Sequence, residues 1–344
     1  MKNSKRESGG KGVNKKPSKT VLAAILTAVV LSVSIIALLI TNLFIPIKYI
    51  SAYVVSGEVN KSGTTRVGYL NVGFGDCTVI ELPDGKTALI DGGDGSYENN
   101  VNILKYLNSR SINKIDYLIC SSVKSEHCGG LAEIVKYKSV GHAYIPYCVN
   151  TRITGGYHAF CSQLEEQNIP FSYACVGEGF SGNGYFLTFL SPTDYLSSNG
   201  EYAALNADAD KETIENASVV TWLECSDTAF AFTSDIRAKG LKRIVEEYDF
   251  CVMQNLPFCP MGENSVKLEK CKILTAAGHG GDKNTYALWY DFINPEQVII
   301  SVGEGYKGYP SSEALSDISN SCTPRYTYDG DVTVTLNDGV YTIS

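Results

Sequence analysis

The segment from residue 21 to residue 47 contains no charged side chain, and this feature constrains the chain more than any other. Its 27 residues would span about 40 Å as a helix, enough to cross a hydrocarbon core of about 30 Å with some tilt. A cleaved signal peptide has an apolar region of only about 7–15 residues, and a buried core helix would not follow a basic leader. The sequence therefore predicts an uncleaved membrane anchor.

The charge around this segment predicts its orientation. Residues 1–20 carry seven basic side chains and one acidic side chain, a net charge of +6. Because basic flanks stay on the cytoplasmic side, the N-terminus is expected in the cytoplasm and everything from Lys48 onward outside it. We therefore predict a single-pass protein of the cell membrane with an extracytoplasmic domain. One spanning helix is too few to build a pore, which argues against a DNA-uptake channel.

The remainder of the chain is acidic. The total formal charge is −8, so residues 21–344 carry −14. Such a domain repels a polyanion at long range, which argues against nucleic acid as a partner, although a local basic groove is compatible with the sequence. The membrane is thus the partner that the sequence predicts, while the ligand or substrate stays open.

The sequence divides into four segments: a basic tail (1–20), the anchor (21–47), a linker (48–65) and one large domain (66–344). With 44% hydrophobic and 19% charged residues, the chain has the composition of a globular protein. Hairpin patterns turn at Asp84-Gly85 and Asp338-Gly339 near the two ends of the domain, and strands alternate with helices between them. This order predicts an α/β or α+β domain with two packed sheets and helices outside.

The eleven cysteines all follow the anchor. Export permits disulfides, but the number is odd, no Cys-x-x-Cys occurs, and Cys77, Cys120 and Cys225 stand in apolar runs. Most of these cysteines are therefore expected to be small buried hydrophobes.

Three short stretches carry the functional signal. The first reads Asn-Val-Gly-Phe-Gly-Asp-Cys at 71–77 and is followed by Leu-Ile-Asp-Gly-Gly at 89–93. The second reads Ile-Cys-Ser-Ser-Val-Lys-Ser-Glu-His-Cys-Gly-Gly-Leu at 119–131, and the third is Gly-His-Gly at 278–280, with Ser-Val-Gly-Glu at 301–304. In this order and spacing they resemble the metallo-β-lactamase superfamily. The likeness covers residues 66–344 and is closest to the exported hydrolase domain of competence DNA-internalisation proteins of the ComEC type.

This resemblance implies an αββα sandwich that binds one or two metal ions, usually zinc, and activates water to hydrolyse esters or phosphodiesters. The main family motif is His-x-(His/Asp)-x-Asp-His-x-Gly-Gly. Its ligand positions fall on Ser122, Lys124, Glu126 and His127. The first metal site is therefore lost, because Ser122 and Lys124 replace its leading ligands and no histidine occurs near residues 216–218.

The second metal site keeps a variant set of ligands. The aspartate of the family's Gly-Asp motif falls on Asp235, and the last histidine falls on His279. Glu126, His127, Asp235 and His279 are thus the predicted ligands of one Zn²⁺ or Mn²⁺ ion, and a centre without metal is the alternative. A later Gly-His-Pro motif falls on 308–310, where Tyr309 replaces the histidine.

Lys124 is the most informative difference from the metal-binding motif of the resembled family. Its ammonium is expected near the former first metal, where it could pair with Asp235 or Glu126 as a structural charge, stabilise an oxyanion, or simply lie exposed on a loop. Glu126 and Lys124 are the candidate catalytic residues. Asp91 and Ser122 are expected to support the ligands from behind, with Asp91 holding the ligand loop by hydrogen bonds.

Two functions follow from this pattern. The favoured one is a degenerate metallo-hydrolase, with impaired or lost activity, that acts as a binding module. The alternative is a single-metal phosphodiesterase or esterase that uses the second site. Both require Asp91, Glu126, His127, Asp235 and His279 to converge at one edge of the sandwich.

Overall fold

The computed structural model describes residues 18–44, 47–147, 155–192, 210–319 and 322–344. It contains two compact units, residues 1–50 and 51–344. In the first, helix α1 (Lys19–Phe44) has 26 residues, and its part Lys19–Ile40 is long and apolar enough to cross a membrane. The basic leader before residue 18 lies outside the described residues, so the orientation of the anchor stays a prediction.

Helix α2 begins at the boundary, and the second unit contains the later helices and all the strands that the structure describes. The helices are α2 (Ile50–Tyr53), α3 (Tyr97–Ser109), α4 (Ser125–Cys128), α5 (Leu131–Tyr137), α6 (Gly155–Glu166), α7 (Lys211–Asn216), α8 (Ala238–Met253), α9 (Ala287–Ile293) and α10 (Ser312–Ser319). The strands are β1 (Thr65–Tyr69), β2 (Thr78–Glu81), β3 (Thr87–Ile90), β4 (Lys114–Ile119), β5 (Ser139–Ile145), β6 (Phe171–Tyr173), β7 (Gly179–Gly182), β8 (Tyr185–Ser191), β9 (Val220–Cys225), β10 (Thr228–Phe232), β11 (Cys271–Thr275), β12 (Gln297–Ile300), β13 (Arg325–Tyr326), β14 (Val332–Asn337) and β15 (Val340–Ile343).

The strands form two mixed sheets. The first has the order β15-β14-β1-β2-β3-β4-β5-β6, and the second has the order β13-β12-β11-β10-β9-β8-β7. Antiparallel strands occupy one side of each sheet, and the two predicted Asp-Gly turns form hairpins of the first sheet. Strands β3 to β6 and strands β10 to β13 run parallel within their sheets, so each sheet has an edge where several carboxyl ends meet.

Three apolar clusters show how the layers stack. One lies between the two sheets and includes Ile80 and Phe230. A second packs the first sheet against α3, α5 and α6, with Ile103 at its centre. The third packs the second sheet against α8 and α9 and contains Trp222 and Trp289. The layers are therefore helix, sheet, sheet, helix, and the predicted αββα fold is confirmed.

The predicted linker, residues 48–65, is partly tied to the domain. The Asn108 side chain donates to the carbonyl of Ala52 at 2.8 Å, and the Glu58 amide donates to the carbonyl of Ser109 at 2.7 Å. Arg110 also pairs with the Glu58 carboxylate at 2.8 Å. These contacts hold the segment against the end of α3.

Six of the ten described cysteines are buried: Cys77, Cys120, Cys128, Cys225, Cys259 and Cys271. Burial raises the pKa of the Cys77 and Cys120 thiols well above the usual value, so these two resist ionisation and oxidation. Both behave as the small buried hydrophobes that the sequence predicts. Cys148 lies outside the described residues.

Candidate metal centre

The centre is built from loops that follow the carboxyl ends of parallel strands. Asp91 follows β3, and the loop 120–124 follows β4 in the first sheet. Asp235 and His279 follow β10 and β11 in the second sheet. Because carboxyl ends of neighbouring parallel strands meet at one edge, residues that are far apart in sequence face one another there.

Two glycines are required by close packing around these loops. A Cβ at Gly130 would lie 2.1 Å from the carbonyl oxygen of Gly92, so only glycine lets α5 approach that loop. Gly278 has a φ of +51°, and a Cβ there would meet the Asn284 side chain at 2.2 Å. That amide donates to the Asp235 carbonyl at 3.0 Å, so Asn284 fastens the Asp235 loop to the His279 loop.

His127 is fully buried and fixed on both sides of its ring. Its Nδ1 lies 2.8 Å from Asp91 Oδ2, and its Nε2 lies 3.1 Å from Asp235 Oδ2. Asp91 is itself held by the amide of Ser121 at 2.7 Å and by the Ser121 hydroxyl, which also contacts the hydroxyl of Ser234 at 2.6 Å. Asp91 therefore lies between Ser121 and His127 and fixes the orientation of the imidazole ring.

The neighbouring charges decide whether His127 and Asp235 are protonated. Burial works to lower the pKa of His127, but the Asp235 and Asp91 carboxylates outweigh it, so the pKa is raised well above its usual value. Burial works to raise the pKa of Asp235, but His127, His279 and Lys124 outweigh it and hold that pKa well below the ordinary range. Asp235 is thus a carboxylate at neutral pH.

His279 approaches the same carboxylate from the second sheet. Its Nδ1 donates to the carbonyl of Ser301 at 2.8 Å, which leaves Nε2 facing Asp235 Oδ1 at 3.6 Å. The His127 and His279 ring centroids are 5.5 Å apart. The Nε2 atoms of both rings are buried, and they face the two oxygens of the Asp235 carboxylate.

Lys124 lies among three carboxylates. Its Nζ is 2.6 Å from Asp235 Oδ2, 2.8 Å from Glu126 Oε1 and 3.3 Å from Glu215 Oε1. Burial works to lower the pKa of Lys124, but Asp235 and Glu126 outweigh it and raise the pKa. Arg237 also pairs with the Glu215 carboxylate. The ammonium therefore stays protonated inside a network of carboxylates.

The five residues predicted to converge do lie together, but Glu126 does not face the histidines. Its carboxylate pairs with the Lys124 ammonium and accepts from the Ser125 hydroxyl at 3.2 Å, because its extra methylene relative to aspartate lets it reach the lysine. Ser122, expected to support the ligands, is buried. Its hydroxyl accepts from the Lys124 amide at 3.4 Å, so Ser122 contacts the loop backbone.

Asp76 belongs to the opening motif at 71–77 and to the first turn of the domain, and it is not among the ligands predicted from the sequence. Its backbone does shape that turn, since its amide donates to the Glu126 carbonyl at 3.2 Å and its carbonyl accepts from Gly93 at 2.9 Å. Its carboxylate, however, lies 3.6 Å from His127 Nδ1 and 4.0 Å from His279 Nδ1. One ligand atom from each of these three residues can be chosen so that all lie within 4.8 Å of one another. The sequence did contain an indication that Asp76 lies at this centre, because Asp76 belongs to the opening motif.

Aromatic rings cover one side of the centre. The Phe74 ring lies 4.3 Å from the His279 ring and stacks on Tyr306 at 4.0 Å. Tyr309, which stands where the family motif has histidine, packs edge-on against Phe74 at 5.0 Å. Burial raises the pKa of the Tyr309 phenol, so it is a neutral cover at physiological pH rather than a metal ligand.

No protein-family model and no curated protein sequence matches the chain. Solved structures do match in fold. One described as Tm1679, a metal-dependent hydrolase of the β-lactamase superfamily, has 13% identity and a TM-score of 0.46 over 80% of this chain and 100% of that one. CmlA, a diiron β-hydroxylase from Streptomyces venezuelae, has 12% identity and a TM-score of 0.44 over 81% of this chain; the match spans only about half of CmlA, 55%. A diphosphatase of the PhnP family has 9% identity and a TM-score of 0.43 over 79% of this chain and 98% of that one.

The donor atoms at the centre fit one divalent ion. On a tetrahedral ion with bonds of about 2.0–2.1 Å, neighbouring ligand atoms lie about 3.3–3.4 Å apart. The distance from Asp235 Oδ2 to His127 Nε2, 3.1 Å, and the distance from Asp235 Oδ1 to His279 Nε2, 3.6 Å, are close to this value, with one carboxylate oxygen facing each ring. Hydrogen bonds from both Nδ1 atoms to fixed acceptors are the arrangement that orients ligating histidines. The residues present therefore suit Zn²⁺ or Mn²⁺ at this position.

Proposed function

We propose that the chain is a membrane-anchored, extracytoplasmic binding module with the sandwich fold of a metallo-hydrolase, in which the Lys124 ammonium stands in for the first metal ion. The contact of this one Nζ with three carboxylates carries the proposal. The three sequence motifs further support a relation to the ComEC-type exported domain.

The network argues against a catalytic role for Lys124 and Glu126. An ammonium already bound to three carboxylates has little positive potential left for a developing oxyanion. Although burial works to raise the pKa of Glu126, the Lys124 ammonium outweighs it and lowers that pKa, which makes the carboxylate a weak general base at neutral pH. Both groups are thus suited to hold the loops in place rather than to perform chemistry.

A single-metal hydrolase is the second candidate. The observation in its favour is the pair of buried Nε2 atoms of His127 and His279 that face Asp235. These three residues would hold the ion, and Asp91 and the Ser301 carbonyl would fix the imidazole tautomers. A bound ion would supply Lewis acidity and an activated water there.

Metal analysis combined with an activity assay separates the two functions. The full-length protein in detergent is dialysed against Zn²⁺ or Mn²⁺, its metal content is measured, and hydrolysis of p-nitrophenyl esters and bis(p-nitrophenyl) phosphate is followed. The binding-module proposal expects at most one ion per chain and no turnover above that of an Asp235→Asn, His279→Ala double variant. Turnover that this double variant abolishes would establish the hydrolase, and two bound ions would contradict the role of Lys124.

A further inference from the structure

We propose that the second unit binds a single-chain zwitterionic lipid in a cavity beside α8, with the acyl chain on the apolar wall and the phosphate of the head group on Arg243. None of the residues that line this cavity belongs to the candidate metal centre. The inference therefore goes beyond the proposed function and does not depend on the Lys124 network.

The cavity has a volume of about 480 Å³, which lies within the range of small-molecule sites. It is enclosed by α8, by the loop that follows α8 and by the turn before β7. Its apolar wall is formed by Val176, Phe250, Cys251, Phe258, Cys259 and Pro260. Phe258 is buried and packs edge-on against Tyr248 at 5.4 Å, so the core beneath holds this wall in place. A preformed apolar wall of this kind suits an acyl chain.

Large apolar side chains continue from this cavity onto the surface. Four of them are each more than half exposed: Phe250, Val252, Met253 and Leu256. Phe250 and Met253 stand three residues apart on α8, so they share one face of the helix. Because exposed apolar patches mark interaction sites, this surface forms an entrance through which a hydrocarbon chain reaches the cavity.

The charged side of the cavity indicates the negative part of the head group. Arg243 lines the cavity, and its Nε is buried without a hydrogen-bond partner among the described residues. A buried donor without an acceptor costs free energy, so a ligand that supplies the acceptor is favoured. A guanidinium binds phosphate through two parallel hydrogen bonds, and Nε is one of its donors.

Two carboxylates next to Arg243 indicate the positive part of the head group. Glu246 and Glu247 follow Arg243 by one turn of α8 and line the same cavity. The Lys242 ammonium lies 3.6 Å from the Glu246 carboxylate, but both side chains are more than half exposed, so solvent weakens this pair. These carboxylates repel a purely anionic head group and Arg243 repels a purely cationic one, whereas a zwitterion complements both. Helix α1 is long and apolar enough to cross a bilayer, and a bilayer is a source of zwitterionic phospholipids.

Calorimetric titration with decylphosphocholine tests the inference. The full-length protein is kept in a fixed concentration of digitonin, a steroid detergent without an alkyl chain. Decanoate and decyltrimethylammonium serve as ligands of similar chain length that carry only one of the two charges. Arg243→Gln removes the guanidinium, Cys251→Trp fills the cavity, and Arg325→Gln is the matched control, because this exposed arginine of β13 lies outside the cavity. Circular dichroism checks that each variant is folded.

We expect the wild type to bind decylphosphocholine at least ~10-fold more tightly than either singly charged ligand. Arg243→Gln should weaken this binding about 10–100-fold, the loss expected for hydrogen bonds to a charged group. Cys251→Trp should abolish binding, and Arg325→Gln should bind within about twofold of wild type.

The inference is overturned if the wild type does not bind decylphosphocholine, if Arg243→Gln or folded Cys251→Trp binds like wild type, or if a singly charged ligand binds as tightly. A dimer in size-exclusion chromatography that Met253→Glu dissociates would also overturn it, since the apolar patch would then be a contact between two copies. None of these outcomes bears on the Lys124 network, so the proposed function is tested separately.

Discussion

Replacing Lys124 by methionine removes the ammonium and keeps most of the side-chain volume. The Asp235, Glu126 and Glu215 carboxylates then face one another without their common cation. At an effective dielectric constant of 20, each contact of 2.6–3.3 Å has a gross attraction on the order of 5–6 kcal/mol. Desolvation of the ammonium and of the carboxylates offsets most of this attraction.

The net effect follows from measured cases. Removal of one partner from a buried ion pair costs about 3–5 kcal/mol, and the 25% exposure of the Lys124 side chain places this case near the lower end, at about 3 kcal/mol. With an unfolding entropy of about 2.1 cal/mol/K per residue, a unit of residues 51–344 loses roughly 5 °C in Tm. A bound divalent ion should restore part of this loss, because it supplies the missing positive charge.

Thermal unfolding of the full-length protein, followed by circular dichroism in EDTA and then in Zn²⁺, measures both effects. Lys136→Met is the matched control, since Lys136 is exposed and pairs with Glu133 within α5, and it should change the free energy of unfolding by less than about 0.5 kcal/mol. Equal stability of the two variants in EDTA, with no selective gain from Zn²⁺ in Lys124→Met, would refute the network as a stabilising element.

Three further predictions address other features. Lys124→His should raise the affinity or number of bound ions in calorimetry, because a neutral imidazole adds a ligand and removes repulsion, whereas Ser122→His alone should leave both unchanged; equal behaviour of the two variants contradicts this. Burial lowers the pKa of Lys138 to about 8, so the folded state releases a proton before the unfolded state does. Relative to a Lys138→Met variant, the free energy of unfolding of the wild type should rise by about 1–3 kcal/mol between pH 8 and 10.5, because the buried thiols titrate alike in both proteins, and a constant difference in denaturant titrations would exclude this origin. Protease added to intact cells should digest the domain, and a protected domain would reverse the predicted topology.

Much of the fold was predictable because helices and hairpins are marked by residues that are close together in the sequence. The helical spacing in residues 101–107 lies within α3, whose start Ser96 caps by accepting from the Asn99 amide at 3.3 Å. The Asp338-Gly339 turn has positive φ at both residues, as a tight hairpin requires. Strands β6 and β7 were not predicted, because three or four residues between glycine and proline signals show no period.

The site was predictable only in part, since its decisive contacts join distant residues. The motifs located His127, Asp235 and His279, but Glu215 meets Lys124 across 91 positions, and no local pattern marks it. Asp76 stood in a motif that has a sufficient local explanation as a turn. Which carboxylate faces the ammonium and which faces the imidazoles depends on side-chain reach, which only the three-dimensional arrangement shows.

At the candidate centre the two halves of the sandwich are joined by the Lys124–Asp235 contact, since Lys124 follows the first sheet and Asp235 follows the second. A connection made by metal ions would depend on ions taken from the surroundings. Here a side chain of the protein itself makes the connection, so the strength of the connection does not vary with the supply of free metal. A domain of this design should keep its halves joined where zinc is scarce or chelated.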